Sequence, residues 1–224
     1  MKGLVPGEKL FNRYLLKRIL GRGGMGVVWL AHDEKLDREV ALKFLPETVK
    51  LDVAILDDLK RETRKSLELT HPNIVRIYDF VDDEYAAAIS MEYIDGATLS
   101  KMRVDREKKF FEPAELATWV RQICLALDHA HQEAKVVHRD LKPSNLMINS
   151  KGQAKIADFG IARSLSDSVS RMTQQKAASS GTLPYMSPQQ LMGEVPSVPQ
   201  DIYSLGATLY ELLTGKPPFY EKDI

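Results

Sequence analysis

Two hydrophobic periodicities divide this chain, and their order along it is the strongest constraint on its fold. Up to about Asp95 the apolar residues fall in short β-branched, aromatic or Leu-rich runs bounded by turn residues: Tyr14 to Leu20, Val27 to His32, Glu39 to Leu45, Ile74 to Phe80 and Tyr85 to Met91. One helix interrupts them, because Ile55, Leu59, Thr63 and Leu67 recur at helical spacing between Ala54 and Leu69. After Pro113, which suits a first helical position, Leu116, Val120, Ile123, Leu127 and Ala130 make one apolar stripe along a long helix. Short strand-like pieces follow at Lys135 to Val137, Leu146 to Ile148 and Ala154 to Ile156, and the Ser/Thr-rich run from Ser164 to Ser180 reads as a loop. Asp201 to Leu213 is a second apolar helix, closed by Gly215 and Pro217-Pro218. Strands with one helix first and helices later predict an α+β fold in two lobes, residues 1–94 and 95–224, joined near Glu92 to Gly96.

Composition narrows the function classes. At 224 residues, 44% hydrophobic and 28% charged, the chain has material for a sizeable core. Lys+Arg and Asp+Glu both number 31, so no global basic field draws nucleic acid or anionic lipid, and no nucleic-acid partner is expected. Cys124 is the single cysteine; no internal disulfide can form, and its place in an apolar helical pattern predicts a buried filler rather than a nucleophile. One reduced cysteine, no signal-peptide pattern and no apolar run near the ~20 residues of a membrane span predict a cytoplasmic location.

Gly21-Arg22-Gly23-Gly24-Met25-Gly26-Val27-Val28 places glycines where backbone can approach phosphates. A dinucleotide fold would open a helix after the last glycine and a Walker A loop would end in Gly-Lys-Ser/Thr, but here a strand follows. A glycine flap over phosphates and an ordinary glycine-rich hairpin both remain open for this segment alone. Lys43, in Val40-Ala41-Leu42-Lys43 on the third strand, can reach phosphates as a compact cation. Glu62, on the face of Leu59 and Thr63, is the carboxylate placed to hold it; Glu68 lies nearly two turns on and rotated away.

His138-Arg139-Asp140-Leu141-Lys142-Pro143-Ser144-Asn145, followed by Asp158-Phe159-Gly160, carries the most specific chemistry. Phosphoryl transfer asks a protein for alignment and charge neutralisation. Asp140 can accept or orient a hydroxyl proton, Lys142 can reach the moving phosphoryl group, and Asn145 and Asp158 are hard oxygen donors suited to Mg²⁺. A zinc site lacks its usual ligands, with one cysteine and scattered histidines.

The ordered set of glycine flap, VALK, helix glutamate, HRDLKPSN and DFG resembles the protein kinases. With His71-Pro72-Asn73-Ile74-Val75 and Met91-Glu92-Tyr93-Ile94-Asp95-Gly96 it looks most like the eukaryotic-like Ser/Thr kinases of bacteria, over residues 14 to 219. The resemblance implies a bilobal fold, with an antiparallel sheet and one helix in the N-terminal lobe and a mainly helical C-terminal lobe. It implies ATP with Mg²⁺, or Mn²⁺ in its place, and a protein substrate with a Ser or Thr acceptor. By the same resemblance Gly21, Gly23 and Gly26 cover the phosphates, and Met91 is the gatekeeper. Glu92 to Ile94 form the hinge that binds adenine, and Val28, Ala41 and Met147 sandwich the base. Lys142-Pro143 is the Ser/Thr pattern, Thr182 contacts Asp140 and Lys142, and Asp201 anchors the HRD backbone. Arg139 pairs with an autophosphorylated residue among Ser164, Ser166, Ser168, Ser170, Thr173, Ser179 and Ser180, with Thr173 and Ser170 foremost. Relatives of this kind often continue into a membrane anchor.

Three departures qualify the resemblance. Ser187-Pro188-Gln189 replaces Ala-Pro-Glu, so the usual ion pair to a later arginine cannot form. Ser66 stands where the family carries a larger apolar residue. The sequence stops at Ile224, which by the resemblance leaves out the last C-lobe helices; the apolar helix with Ile202, Leu205, Leu209, Leu212 and Leu213 is then expected to expose a patch and to self-associate. The leading expectation is an active Ser/Thr kinase. Its alternative is a nucleotide-binding scaffold of little turnover, and a small-molecule kinase fits less well with Lys142 and the Thr182 loop.

Overall fold

A computed structural model of the chain describes residues 4–23, 26–159 and 182–219, apart from the side chains of Thr48, Glu62 and Lys65. Residues 1–3, 24–25, 160–181 and 220–224 lie outside the described residues, among them Gly160 and the expected loop from Ser164 to Ser180. The described chain forms two compact units, one of residues 4–68 and 76–93, the other of residues 69–75, 94–159 and 182–219.

The first unit is built on a six-stranded antiparallel sheet in the order β1-β2-β3-β4-β6-β5. Its strands are β1 (Lys9–Leu10), β2 (Tyr14–Gly23), β3 (Gly26–Asp33), β4 (Arg38–Phe44), β5 (Ile77–Asp82) and β6 (Ala87–Glu92). Alternation along each strand sorts the side chains onto two faces. Tyr14, Leu16, Trp29, Ala31, Val40, Leu42, Phe44 and Ala88 form one buried cluster. The register Val28 opposite Lys43, Leu30 opposite Ala41, Ala41 opposite Met91 and Lys43 opposite Ile89 puts Val28, Leu30, Ala41, Lys43, Ile89 and Met91 on the other face. Arg13 fastens the near end of the sheet: it bonds Asp33 through two nitrogens and Asp79 through a third, each at 2.8 Å. Burial opposes ionisation of Asp33, but the Arg13 guanidinium and the N–H of Lys35 hold its pKa below the ordinary carboxylate value.

Between β4 and β5 run α1 (Glu47–Lys50) and α2 (Val53–Glu68). The helix expected from Ala54 to Leu69 is present, but its buried stripe is Leu59, Thr63 and Ser66, and Leu67 is exposed. The stripe turns toward 59, 63 and 66 because those positions stack one turn apart, with 67 displaced to its edge. Only a glycine fits at Gly26, where φ is 117° and a Cβ would overlap the Phe44 carbonyl oxygen.

The second unit is organised by α4 (Pro113–Gln132), which buries Leu116, Ile123, Ala126, Leu127 and Ala130. Around it lie α3 (Leu99–Asp105), a three-stranded antiparallel sheet of β7 (Gly96–Thr98), β8 (Leu146–Asn149) and β9 (Ala154–Ile156), a short helix α5 (Pro188–Leu191) and α6 (Val198–Thr214). Gly96 is required by close approach: a Cβ there would overlap the Ile148 carbonyl oxygen across the β7–β8 pair. Among the described residues no helix is long and apolar enough to cross a membrane.

Four expectations need correction. Cys124 is exposed, since the buried stripe centres on Leu116, Ile123, Leu127 and Ala130 and leaves position 124 at its margin. Lys135 to Val137 is not a strand; Lys135 takes φ 54° and the Val136 N–H donates to Ala130 O, so the segment closes α4. The strand expected from Ile74 begins at Ile77, because Val75 N–H donates instead to Ile156 O at 2.8 Å. The strand expected from Tyr85 begins at Ala87, because Asp83 accepts the N–H groups of Tyr85 and Ala86 in a tight turn. As for α6, Leu205 and Leu212 are buried, whereas Ile202, Tyr203, Tyr210 and Leu213 are exposed.

Segment 69–75 is tied to β9 by Ile156 N–H to Asn73 O and by Asn73 Nδ2 to Ala154 O, each at 2.8 Å. Its turn is closed by the Asn73 N–H donating to His71 Nδ1 at 3.1 Å, with the His129 ring 5.2 Å away. Burial, then the charges of His129 and Lys155, lower the His71 pKa below its ordinary value. The folded state therefore favours neutral His71. Stability from this group is complete above about pH 6.5 and declines as pH falls through the lowered folded value. We expect the thermal midpoint to fall between about pH 7 and 5.5, and to fall less steeply in His71→Gln. Identical slopes in parent and variant would contradict this.

Candidate active site

The loop from His138 to Asn145 joins the end of α4 to β8 with little regular structure, so its backbone donors need partners from elsewhere. Asp201, in the first turn of α6 and fully buried, supplies them. Its Oδ2 accepts the His138 N–H at 2.7 Å and its Oδ1 the Arg139 N–H at 2.8 Å. His131 Nε2, from α4, donates to Oδ2 at 2.7 Å. Burial opposes ionisation of Asp201, but these hydrogen bonds prevail and its pKa lies below the ordinary carboxylate value. The anchoring holds Arg139 at φ 71°, a left-handed conformation that costs a non-glycine residue of order 1–3 kcal/mol.

The His138 ring fixes the next step. Its Nδ1 accepts the Asp140 N–H at 3.2 Å, so Nε2 carries the proton and donates to Ala157 O at 2.9 Å. Phe159 packs edge-on against the ring, with centroids 4.6 Å apart. Ala157 N–H donates to Asn145 O at 2.9 Å, tying the loop to the residue before Asp158. Asp158 itself takes φ 64°.

Asp140 is 4% exposed and surrounded by donors. Asn145 Nδ2 bonds both Asp140 O at 2.8 Å and Asp140 Oδ2 at 2.9 Å, which turns Asn145 Oδ1 outward from that pair. Lys142 Nζ lies 2.9 Å from Asp140 Oδ2 and donates to Thr182 Oγ1 at 2.8 Å. Asp140, Lys142, Asn145 and Thr182 are thus one hydrogen-bonded group. A carboxylate placed to take a proton and an ammonium beside it can serve a hydroxyl nucleophile and an anionic group in transfer. In the first unit, Val28, Ala41, Lys43 and Met91 share one sheet face, and Lys43 is 5% exposed. Gly21 pairs with Val28 and Gly23 with Gly26 at the β2–β3 end. Glu62 lies on α2, but its side chain is outside the described residues. Glu92 ends β6, Ile94 is buried in the second unit, and Met147 lies on β8 opposite Thr98.

Two residues of the second-unit site escaped sequence reasoning. His131 falls one turn after Leu127 and reads there as an edge position of the apolar stripe; its polarity was the available signal. Gln190 is buried and donates to Arg139 O at 2.9 Å, with no motif to mark it.

Residues 14–224 match the family model described as protein kinase domain. The chain is 42% identical over 214 residues to the serine/threonine-protein kinase PknB of Mycobacterium leprae, covering 94% of this chain and 34% of that protein. It is 40% identical over 216 residues to the serine/threonine-protein kinase PrkC of Bacillus subtilis, covering 96% of this chain and 32% of that protein. The chain therefore spans about a third of the length of the curated relatives it matches. Among solved structures it resembles the PknI kinase domain of Mycobacterium tuberculosis, with a TM-score of 0.78 and 28% identity over 97% of this chain and 78% of that one.

The Asp201 anchor has a measurable weight. In Asp201→Asn one oxygen is replaced by an NH₂ group that faces an N–H donor, leaving buried donors unpaired. We expect a loss of about 3 kcal/mol, read as a lower urea midpoint at unchanged m-value. An unchanged midpoint would show that the loop is held by other contacts.

Proposed function

This chain belongs to the protein kinase domain family, and on that premise we propose that it transfers the γ-phosphoryl group of ATP to a Ser or Thr hydroxyl of a protein. The observation that carries the proposal is the hydrogen-bonded group of Asp140, Lys142, Asn145 and Thr182. For the first unit, we assign the nucleotide to the sheet face of Val28, Ala41, Lys43 and Met91, with Lys43 directed to the α- and β-phosphates and Glu62 holding Lys43. For the second unit, we assign the transfer. The acceptor hydroxyl oxygen bonds to the γ-phosphorus as the bond to the β,γ-bridging oxygen breaks, and ADP leaves. Asp140 orients the hydroxyl and takes its proton, and the Lys142 ammonium neutralises charge on the moving phosphoryl group. Thr182, on Lys142 Nζ, keeps that ammonium directed.

A divalent cation, Mg²⁺ or Mn²⁺, supplies charge neutralisation on the phosphates when bound. The donor chemistry fits: Asn145 Oδ1, turned away from Asp140, and the Asp158 carboxylate are hard oxygens. The proposal extends to autophosphorylation in the run from Ser164 to Ser180, with Thr173 and Ser170 foremost. Arg139 Nε is buried with no hydrogen-bond partner among the described residues, a donor that a phosphate oxygen would satisfy.

Radiolabelled ATP distinguishes this reading from a nucleotide-binding scaffold. With a generic basic protein as acceptor, the parent chain is expected to transfer label to Ser and Thr, and Asp140→Asn to lose at least about 100-fold of the rate. Binding of Mg-ATP by a folded parent chain without transfer would overturn the proposal in favour of the scaffold.

A further inference from the structure

Gln190 is spent at both ends of its side chain. Its Oε1 accepts the Ser187 N–H at 3.1 Å, and its own N–H donates to Ser187 Oγ at 3.2 Å, closing a capping box on α5. A capping box needs only an acceptor at this position, and a glutamate would serve it as well. The amide adds a donor, and the donor reaches the Arg139 carbonyl at 2.9 Å, far away in sequence.

That carbonyl belongs to the peptide linking Arg139 to Asp140. The N–H of the same peptide donates to His138 Nδ1. Gln190 and His138 therefore hold opposite ends of the peptide plane directly before the Asp140 side chain. The Arg139 conformation, at φ 71°, is one that persists only where surrounding contacts over-determine it. The segment that carries Gln190 is also docked on α6: Ser204 Oγ donates to Tyr185 O at 2.7 Å, and the Tyr185 hydroxyl donates to the buried Glu211 carboxylate. Thr182 heads this segment, and Lys142 donates to it.

We propose that Gln190 is a positioning residue. It sets the Arg139–Asp140 peptide, and with it the Asp140 carboxylate, in register with the segment bearing Thr182. The geometric part stands on the hydrogen bonds alone; its consequence for rate rests on the phosphoryl-transfer reading above.

The test uses two variants and a control. Gln190→Glu keeps the shape and the acceptor for Ser187 but sets a carboxylate oxygen against the Arg139 carbonyl oxygen. Gln190→Met removes both polar ends, and Gln189→Ala alters the exposed neighbour. In Gln190→Glu we expect kcat about tenfold lower near pH 8, with KM for ATP within about twofold. The deficit should shrink toward about pH 6, as the buried carboxyl regains a proton and hence a donor. Gln190→Met should lose a similar factor at every pH, and Gln189→Ala should match the parent. Amide exchange read on the same folded samples should quicken across residues 138–146 in both Gln190 variants and stay at the parent level across α4. Should the parent itself transfer no phosphate, the functional reading fails, and the exchange result alone decides the positioning claim. Parent exchange across 138–146 in either folded variant overturns the proposal, as does exchange raised evenly through the unit. Parent kcat with quickened exchange overturns its catalytic part. Failure of both variants to fold, with Gln189→Ala intact, also overturns it, because a positioning residue leaves the fold standing.

Discussion

One buried carboxylate holds the loop of the second unit that carries Asp140. Asp201 accepts hydrogen bonds from the backbone N–H groups of His138 and Arg139 and from the His131 ring. A loop of this kind has no ladder of its own to satisfy its donors, and leaving them buried and unpaired would cost of order 1–3 kcal/mol each. Concentrating them on one anion at the start of a helix satisfies them together, and the positive end of that helix favours the charge. The same anchoring imposes the left-handed Arg139 conformation, and with it go the orientation of His138, the approach of Asp140 to Asn145, and the hydrogen bond that the Ala157 N–H, between β9 and Asp158, donates to Asn145 O.

Around this anchor the unit uses further buried polar pairs instead of a purely apolar core. Arg103 of α3 lies 2.7 Å from Glu211 of α6, and Glu211 also receives the Tyr185 hydroxyl. Burial, then the hydrogen bond to Glu211, pushes the Tyr185 phenol well above its ordinary value, so it stays a donor. Thr208 Oγ1 donates to Leu141 O at 3.4 Å, a second thread from α6 to the loop. Such contacts are directional. They select one arrangement of α6, the loop and the Thr182 segment, which apolar packing alone would specify less sharply.

Much of this was legible in the residues. The strands with alternating Val, Ile and Tyr, the α4 stripe and the loop chemistry of Asp140, Lys142 and Asn145 are local patterns, and local patterns read directly. The misplaced strands trace to a backbone group bonded outside the expected ladder, near in sequence or far. Ile74 and Val75 have strand propensity but pair with Ile156, and Val136 closes α4. Cys124 sits on a helix whose buried arc is narrower than its apolar content suggests. His131 and Gln190 carry no motif because each acts on the loop from another element, and spacing along the sequence holds no record of that meeting.

The Asp201 carboxylate is expected to sequester the His138 and Arg139 amides as firmly as the core of the unit holds its own. Residue-resolved hydrogen exchange measures this directly. These two amides are expected to exchange as slowly as those of Ile123 and Leu127 in α4, through the same cooperative opening. Exchange at the rate of a solvent-exposed loop would contradict it.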